Sequence, residues 1–196
     1  RLESRQTTHV SVADKDGNLV SNTYSLNFSF GNAKTISGTG ILLNNTMADF
    51  TAHVAIANPF GLLQGEANCI EPGKWPLSSM SPTLLIDHQH DQFVATGSPG
   101  GSHILTSVLQ QIINMVDFNQ GLGTAIVSPR IHSQLWPDKV QVEQGFNSDT
   151  LDALRHKGHA VSEVSAMGSL QTVEIRRGVY YGYADPRRIG AKAAGY

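Results

Sequence analysis

Residues 97–102 read Gly-Ser-Pro-Gly-Gly-Ser, and directly behind them Ile104, Val108, Ile112 and Met115 recur at helical spacing. Leu105, Leu109, Ile113 and Val116 widen that stripe until the helix is apolar over much of its circumference. Such a helix predicts deep burial, with Ser102 as its N-cap. Strands are expected around it. Pro82–Ile86 and Gln92–Thr96 read as two strands joined by the polar turn 87–91. The chain opens with another pair. Thr8, Val10 and Val12 alternate with Thr7, His9 and Ser11, the turn Asp16-Gly17-Asn18 follows, and a second strand is expected from Leu19 to about Phe30. Residues 51–76 carry three prolines and three glycines without a period and read as a long surface loop. A shorter helix is expected over 150–157, capped by Ser148 or Asp149 and ended by Gly158. A last strand pair, 173–175 and 179–183, turns at Arg177-Gly178, and a weakly structured tail follows Pro186. Strands flanking two helices and joined mostly by hairpins predict a layered α+β domain.

Composition removes several function classes. A formal net charge of −2 with no polybasic run does not favour nucleic acid or a membrane surface. One cysteine, Cys69, allows neither an internal disulfide nor a four-cysteine zinc site. No stretch approaches the roughly 20 apolar residues of a membrane-spanning helix, and no signal peptide is expected at the start of this chain. His88 and His90 lack a third ligand placed by sequence, so no metal and no cofactor is expected.

Three features suit acyl-transfer chemistry. The first is Gln6-Thr7-Thr8-His9 at the head of a strand. A threonine hydroxyl needs a base beside it. If the Gln6–Thr7 bond is cut, Thr7 gains an α-amine that titrates near pH ~8 and can take the proton of its own hydroxyl. Otherwise Thr7 and Thr8 are ordinary strand residues. The second is the glycine turn, where the N–H groups of Gly100 and Gly101 can point together at an anion near a helix N-terminus. The third is Ser78-Ser79-Met80-Ser81, whose hydroxyls can either bond a carboxylate or cap and turn the chain.

In order, Gln6-Thr7-Thr8-His9, Asp16-Gly17-Asn18, Thr23-Tyr24-Ser25-Leu26-Asn27, residues 40–45, residues 76–83, residues 97–102 and Asp185-Pro186-Arg187 resemble the small subunit of γ-glutamyltransferases, which are N-terminal-nucleophile hydrolases. The resemblance runs from about Arg5 to Tyr196. It implies a four-layer αββα sandwich completed by a separate large subunit. Residues 1–6 would be the end of that subunit or a precursor linker, and 7–196 the small catalytic subunit. It implies self-cleavage between Gln6 and Thr7, followed by γ-glutamyl transfer or hydrolysis through a threonine ester, on glutathione-like compounds. Gly100 and Gly101 would form the oxyanion hole. Ser78 and Ser79 would hold the substrate α-carboxylate, and Asn27 and Asp49 the α-ammonium. A further arginine would come from the large subunit. Location in the periplasm or outside the cell is implied in the same way.

Departures lie in the pocket. Ser25 stands where the family usually has a second threonine that orients the nucleophile. Thr46 replaces a Gln or Glu, Ala48 a common Asp, and Trp75 a basic residue. Both Thr46 and Ala48 shorten polar reach toward the α-ammonium. Glutaryl or cephalosporin acylases and poly-γ-glutamate depolymerases on the same scaffold therefore stay open, as does a silent partner subunit. Asn58-Pro59-Phe60-Gly61-Leu62 resembles the lid over the pocket of bacterial members.

Overall fold

The computed structural model describes residues 7–58 and 60–196, so the expectations for residues 1–6 and for Pro59 lie outside the described residues. In chain order the elements are β1 (Thr8–Ala13), β2 (Leu19–Tyr24), β3 (Thr83–Asp87), β4 (Gln92–Gly97), α1 (His103–Val116), α2 (Leu122–Val127), β5 (Ile131–His132), β6 (Val140–Glu143), α3 (Ser148–His156), β7 (Val161–Val164), β8 (Gln171–Arg176) and β9 (Val179–Ala184). Short 3-10 turns occupy Thr46–Asp49 and Glu66–Asn68. The segment 51–76 is otherwise loop, as expected, apart from one bridge between Thr51 and Cys69.

The central sheet has the order β3-β4-β8-β9, antiparallel throughout. The β8–β9 turn is at Arg177 and Gly178, both with positive φ (50° and 73°), which suits a two-residue hairpin. Helix α1 lies on one face, where Val94, Val108, Met115, Leu122, Ala125, Ile126 and Leu170 form the main core. A polar bridge crosses this interface. Thr96 Oγ1 donates to Gln111 Oε1 at 2.6 Å, and Gln111 Nε2 donates to Thr172 Oγ1 at 3.0 Å, all out of water.

The β1–β2 hairpin packs on the opposite face. Gly97 alternates with Thr96, so its Cα faces away from α1. A Cβ there would lie 2.2 Å from the His9 ring. The imidazole therefore needs glycine at 97. Ser11 donates to the Gln171 carbonyl and Ser21 to the Thr96 carbonyl, each at 2.8 Å. The polar face of the hairpin is thus the buried one, and Val10, Val12 and Val20 point out to solvent.

Four expectations need correction. Strand β2 stops at Tyr24, well short of Phe30, because the Ser25 hydroxyl accepts the N–H of Asn27 (2.9 Å) and Asn27 turns to φ 74°. Ser102 is helical (φ −64°, ψ −25°) and makes no side-chain cap. The N–H groups of His103 and Ile104 go instead to the carbonyls of Gly100 and Gly101 (3.1 and 3.2 Å). The cap of α3 is Asn147, which accepts the Asp149 N–H at 2.9 Å. Helix α1 buries one side only, for Leu105, Leu109 and Val116 are exposed.

Two parts have no counterpart among the expected elements. Helix α2 is short and holds Gly123. Sheet β5-β6-β7 contains a parallel pair, β6–β7, with α3 between them in sequence and Val140, Val142 and Leu151 as its core. Both are tied to β9 by a buried charge cluster. Arg130 donates to Asp185, to the Met167 carbonyl (2.6 Å) and to the Ile126 carbonyl (2.8 Å). Arg187 donates twice to Glu143 (2.8 and 2.6 Å) and once to Asp185 (3.2 Å). No helix among the described residues is long and apolar enough to cross a membrane.

Candidate active site

Thr7 immediately precedes β1 at one end of the hairpin and is 6% exposed. Its hydroxyl meets the Ser25 hydroxyl at 3.1 Å. Ser25 is reached because β2 runs antiparallel to β1, with Tyr24 opposite Thr8, so the residue after β2 returns beside the residue before β1. The Ser25 oxygen also accepts the Asn27 N–H, which fixes it from behind. Asn27, at positive φ, sends its side-chain amide to the Asn45 carbonyl and to Asp49 Oδ1, each at 3.3 Å. Asn45 in turn accepts the Phe28 N–H (3.1 Å).

These groups open onto one cleft. Of the residues the sequence singled out, Thr7, Ser25, Asn27, Thr46, Asp49, Ser78, Ser79 and Gly101 all line it. Gly100 lies just behind, buried, and is not part of the lining. Gly100 and Gly101 take φ 134° and 56°, conformations that side chains rarely adopt. Their carbonyls are committed to the start of α1. Among the described residues no hydrogen bond uses either N–H, and of the two residues Gly101 borders the cleft. Ser79 donates to the Gly101 carbonyl at 2.9 Å, which ties the serine segment to the glycine turn. Ser78 is exposed and accepts the Met80 N–H at 3.2 Å.

Among the described residues, Asp49 is the one ionisable side chain lining the cleft. Burial pushes its carboxyl upward, and the amide of Asn27 opposes that rise. A carboxylate half out of water with one long hydrogen bond is poised for a cation. Thr46 does not share in this. Its hydroxyl donates to Asn44 Oδ1 at 2.6 Å. His9, two residues along β1, is turned to other partners than Thr7. Its ring is bonded to Thr23 (2.7 Å) and Ser11 (3.0 Å), and burial pushes it down to about 4.

The segment that resembles a lid, with Gln64 just beyond it, completes the wall. Phe60, Leu62 and Gln64 line the cleft. Asn58 accepts the N–H groups of Phe60 and Leu62 (3.0 and 2.9 Å) and so shapes the turn that carries Phe60. The Phe60 ring stacks on Phe28 (centroids 5.9 Å, 14°) and lies against Gly101, where a Cβ would meet it at 3.2 Å. No sequence pattern links Phe28 to Phe60. His90 bonds Asp87 (2.7 Å), away from this cleft, and the described residues contain no group of three or more ligands suited to a metal ion.

Comparison with known proteins identifies the family. Residues 1–195 match the family model for γ-glutamyltranspeptidase. The chain is 47% identical to the glutathione hydrolase proenzyme of Escherichia coli K12 over 99% of its own length and 33% of that protein's. It spans about a third of the length of the glutathione hydrolase proenzymes it matches. Among solved structures, a chain of γ-glutamyltranspeptidase from Helicobacter pylori superposes with a TM-score of 0.85 at 42% identity, covering 92% of this chain and 100% of that one. One from Pseudomonas nitroreducens does so with a TM-score of 0.85 at 38% identity, covering 96% and 100%. A match of this extent at this identity settles the relationship, and the chain belongs to the γ-glutamyltranspeptidase family.

Proposed function

We propose that this chain is the nucleophile-bearing part of a γ-glutamyl hydrolase and transferase, with Thr7 as nucleophile. The observation that carries the reading is the Thr7–Ser25 hydroxyl pair at 3.1 Å, in one cleft with Gly101 and Asp49. Self-cleavage comes first. Thr7 Oγ1 attacks the Gln6 carbonyl, the C–N bond breaks, and an ester forms. Water hydrolyses that ester to a Gln6 carboxylate and a free Thr7 amine.

The amine is then the base. It takes the hydroxyl proton as Oγ1 attacks the γ-carbonyl carbon of the donor. The oxyanion that develops faces the amides of Gly100 and Gly101. Collapse breaks the donor C–N bond, and the amine passes its proton to the leaving nitrogen. Water or an acceptor amine resolves the γ-glutamyl ester by the same route in reverse. Ser25 holds the hydroxyl in line, Asp49 and Asn27 receive the donor's α-ammonium, and Ser78 and Ser79 lie where its α-carboxylate would rest.

The chain's extent supports a divided enzyme, since it spans a third of those proenzymes yet the whole of a solved chain. The face bearing Val10, Val12 and Val20 is exposed, as are Leu84 and Ile86 on β3. In a four-layer αββα sandwich the remainder of the precursor would cover these residues and extend the hairpin into a second sheet.

The test uses the complete precursor and a γ-glutamyl anilide. Thr7→Ala is expected to stop both self-cleavage and anilide release. A processed Thr7→Ala enzyme that turned over normally would rule the reading out. Comparable rates on a glutaryl anilide, which has no α-amine, would favour an acylase instead.

A further inference from the structure

The tail beyond β9 is placed by charge. Asp185 and Arg187 sit in the buried cluster with Arg130 and Glu143, and the N–H of Arg188 bonds the Asp185 carbonyl at 3.3 Å. Arg188 therefore starts from a fixed point. Its guanidinium Nη1 donates to the backbone carbonyl of Thr7 at 3.0 Å, across 181 residues of sequence.

We propose that Arg188 is a positioning residue for Thr7, which fixes the Thr7 carbonyl and keeps a permanent positive charge beside the amine of that residue. The inference rests on the reading of Thr7 as the nucleophile. Once the 6–7 bond is cut, nothing covalent restrains Thr7 on its amino side, and β1 begins only at Thr8. A donor on the Thr7 carbonyl sets the plane of the 7–8 peptide, while Ser25 sets the hydroxyl. Together they hold both ends of the residue that must act as nucleophile and base.

The charge has a second consequence. Amine nitrogen and carbonyl oxygen of one residue lie about 3–4 Å apart, so the guanidinium stays within roughly 7 Å of the amine. A neighbouring cation disfavours the ammonium form. At that distance the guanidinium holds the amine below its ordinary range. More of the base is then neutral at pH 7. Arginine keeps its charge throughout this range.

Among the described residues, the other ionisable groups near Thr7 do not duplicate this. Asp49, across the cleft, acts in the opposite sense. His9 on β1, and His103 behind the glycine turn, are both pushed down to about 4 by burial and are uncharged. Arg187 in the same tail is balanced by Glu143 and Asp185.

The experiment compares wild type, Arg188→Met, Arg188→Lys and Thr7→Ala in the complete precursor. Self-cleavage is read by mass, folding by thermal midpoint, and kcat and KM on a γ-glutamyl anilide from pH 5 to 10. Arg188→Met is expected to lose roughly tenfold or more in kcat with KM within about twofold. Its acid limb should move up by about half a unit or more. Arg188→Lys should return the limb to the wild-type position and recover only part of kcat. Wild-type kcat in Arg188→Met overturns the proposal, and so does an unmoved limb. Should Arg188→Met stay uncut, Arg188→Lys decides. Self-cleavage with a wild-type limb supports the proposal, and a lysine variant that melts normally but stays uncut overturns it. Thr7→Ala separates the two failures. If it stays active, the nucleophile reading falls whatever Arg188 does. If it is dead while Arg188→Met is unaffected, only this inference falls.

Discussion

Two regions of the molecule gather polar side chains out of water, and they are finished differently. In the Arg130–Glu143–Asp185–Arg187 cluster the partners are complete. The carboxylates accept backbone N–H groups from Arg130, Met167, Leu170 and Arg187 in addition to the guanidinium bonds. Around Thr7 the bonds between described side chains are longer. Two hydroxyls share one contact at 3.1 Å, the Asn27 amide reaches two acceptors at 3.3 Å each, and Asp49 borders open space. A buried polar group without full partners costs free energy. The protein tolerates that cost where a ligand is to complete the set, and avoids it where the task is to fix the chain. The two regions meet at one residue, for Arg188 stands at the end of the closed cluster and reaches the open one.

Substitutions should separate the two regions, and Thr7→Ala gives the largest separation. Turnover is expected to fall by at least about a thousandfold, because the nucleophile is gone. The urea midpoint should hardly move, the side chain having one shared hydroxyl contact. A large loss of stability would mean that the site is closed after all. Asp185→Asn reverses the pattern. Removing one charge from a buried set costs about 3–5 kcal/mol, read as the free energy of urea unfolding. If Asp185→Asn melted like wild type, the contrast between the regions would break.

Acid should act on a third set of groups. Burial depresses His9 and His103 to about 4, and His132 is shifted the same way. A depressed histidine favours the folded state fully above its unfolded value of about 6.5, and that contribution is lost as pH falls toward the folded value. For His9 the span is worth roughly 3 kcal/mol. Urea midpoints should therefore drop between pH 6.5 and 4, and a flat profile would contradict the burial of these rings. Gly97→Ala sharpens the same point. Its new methyl meets the His9 ring and should cost about 1–3 kcal/mol in an unfolding titration. Ser25→Ala is the mildest. It removes one hydroxyl from the nucleophile and should lower kcat by roughly tenfold, with Ser25→Thr close to wild type.

Much of this was legible in the sequence where signals are local. The Gly17 turn, the strands on either side of residues 87–91 and the Arg177-Gly178 turn follow from alternation and turn chemistry. The burial of the polar hairpin face was not legible, because alternation tells which residues share a face and not which face turns inward. The apolar stripe of α1 likewise overstates burial in this chain, since Leu105, Leu109 and Val116 are exposed. Helix α2, with Gly123 and three β-branched residues among its six positions, carries too weak a period to be seen. In the site, ordered motif segments brought Thr7, Ser25, Asp49 and Gly101 to one cleft. Phe60 on Phe28, and Arg188 on Thr7, are pairings of distant residues that only folding makes.

The central claim is that a backbone cut turns residue 7 into both nucleophile and base. Peptide mass mapping of the complete protein, quenched during turnover of a γ-glutamyl donor, addresses it directly. The account predicts a polypeptide that begins at Thr7 and carries one γ-glutamyl group on that residue. A fully active protein with the 6–7 bond intact, or a γ-glutamyl group found on any other side chain, would contradict it.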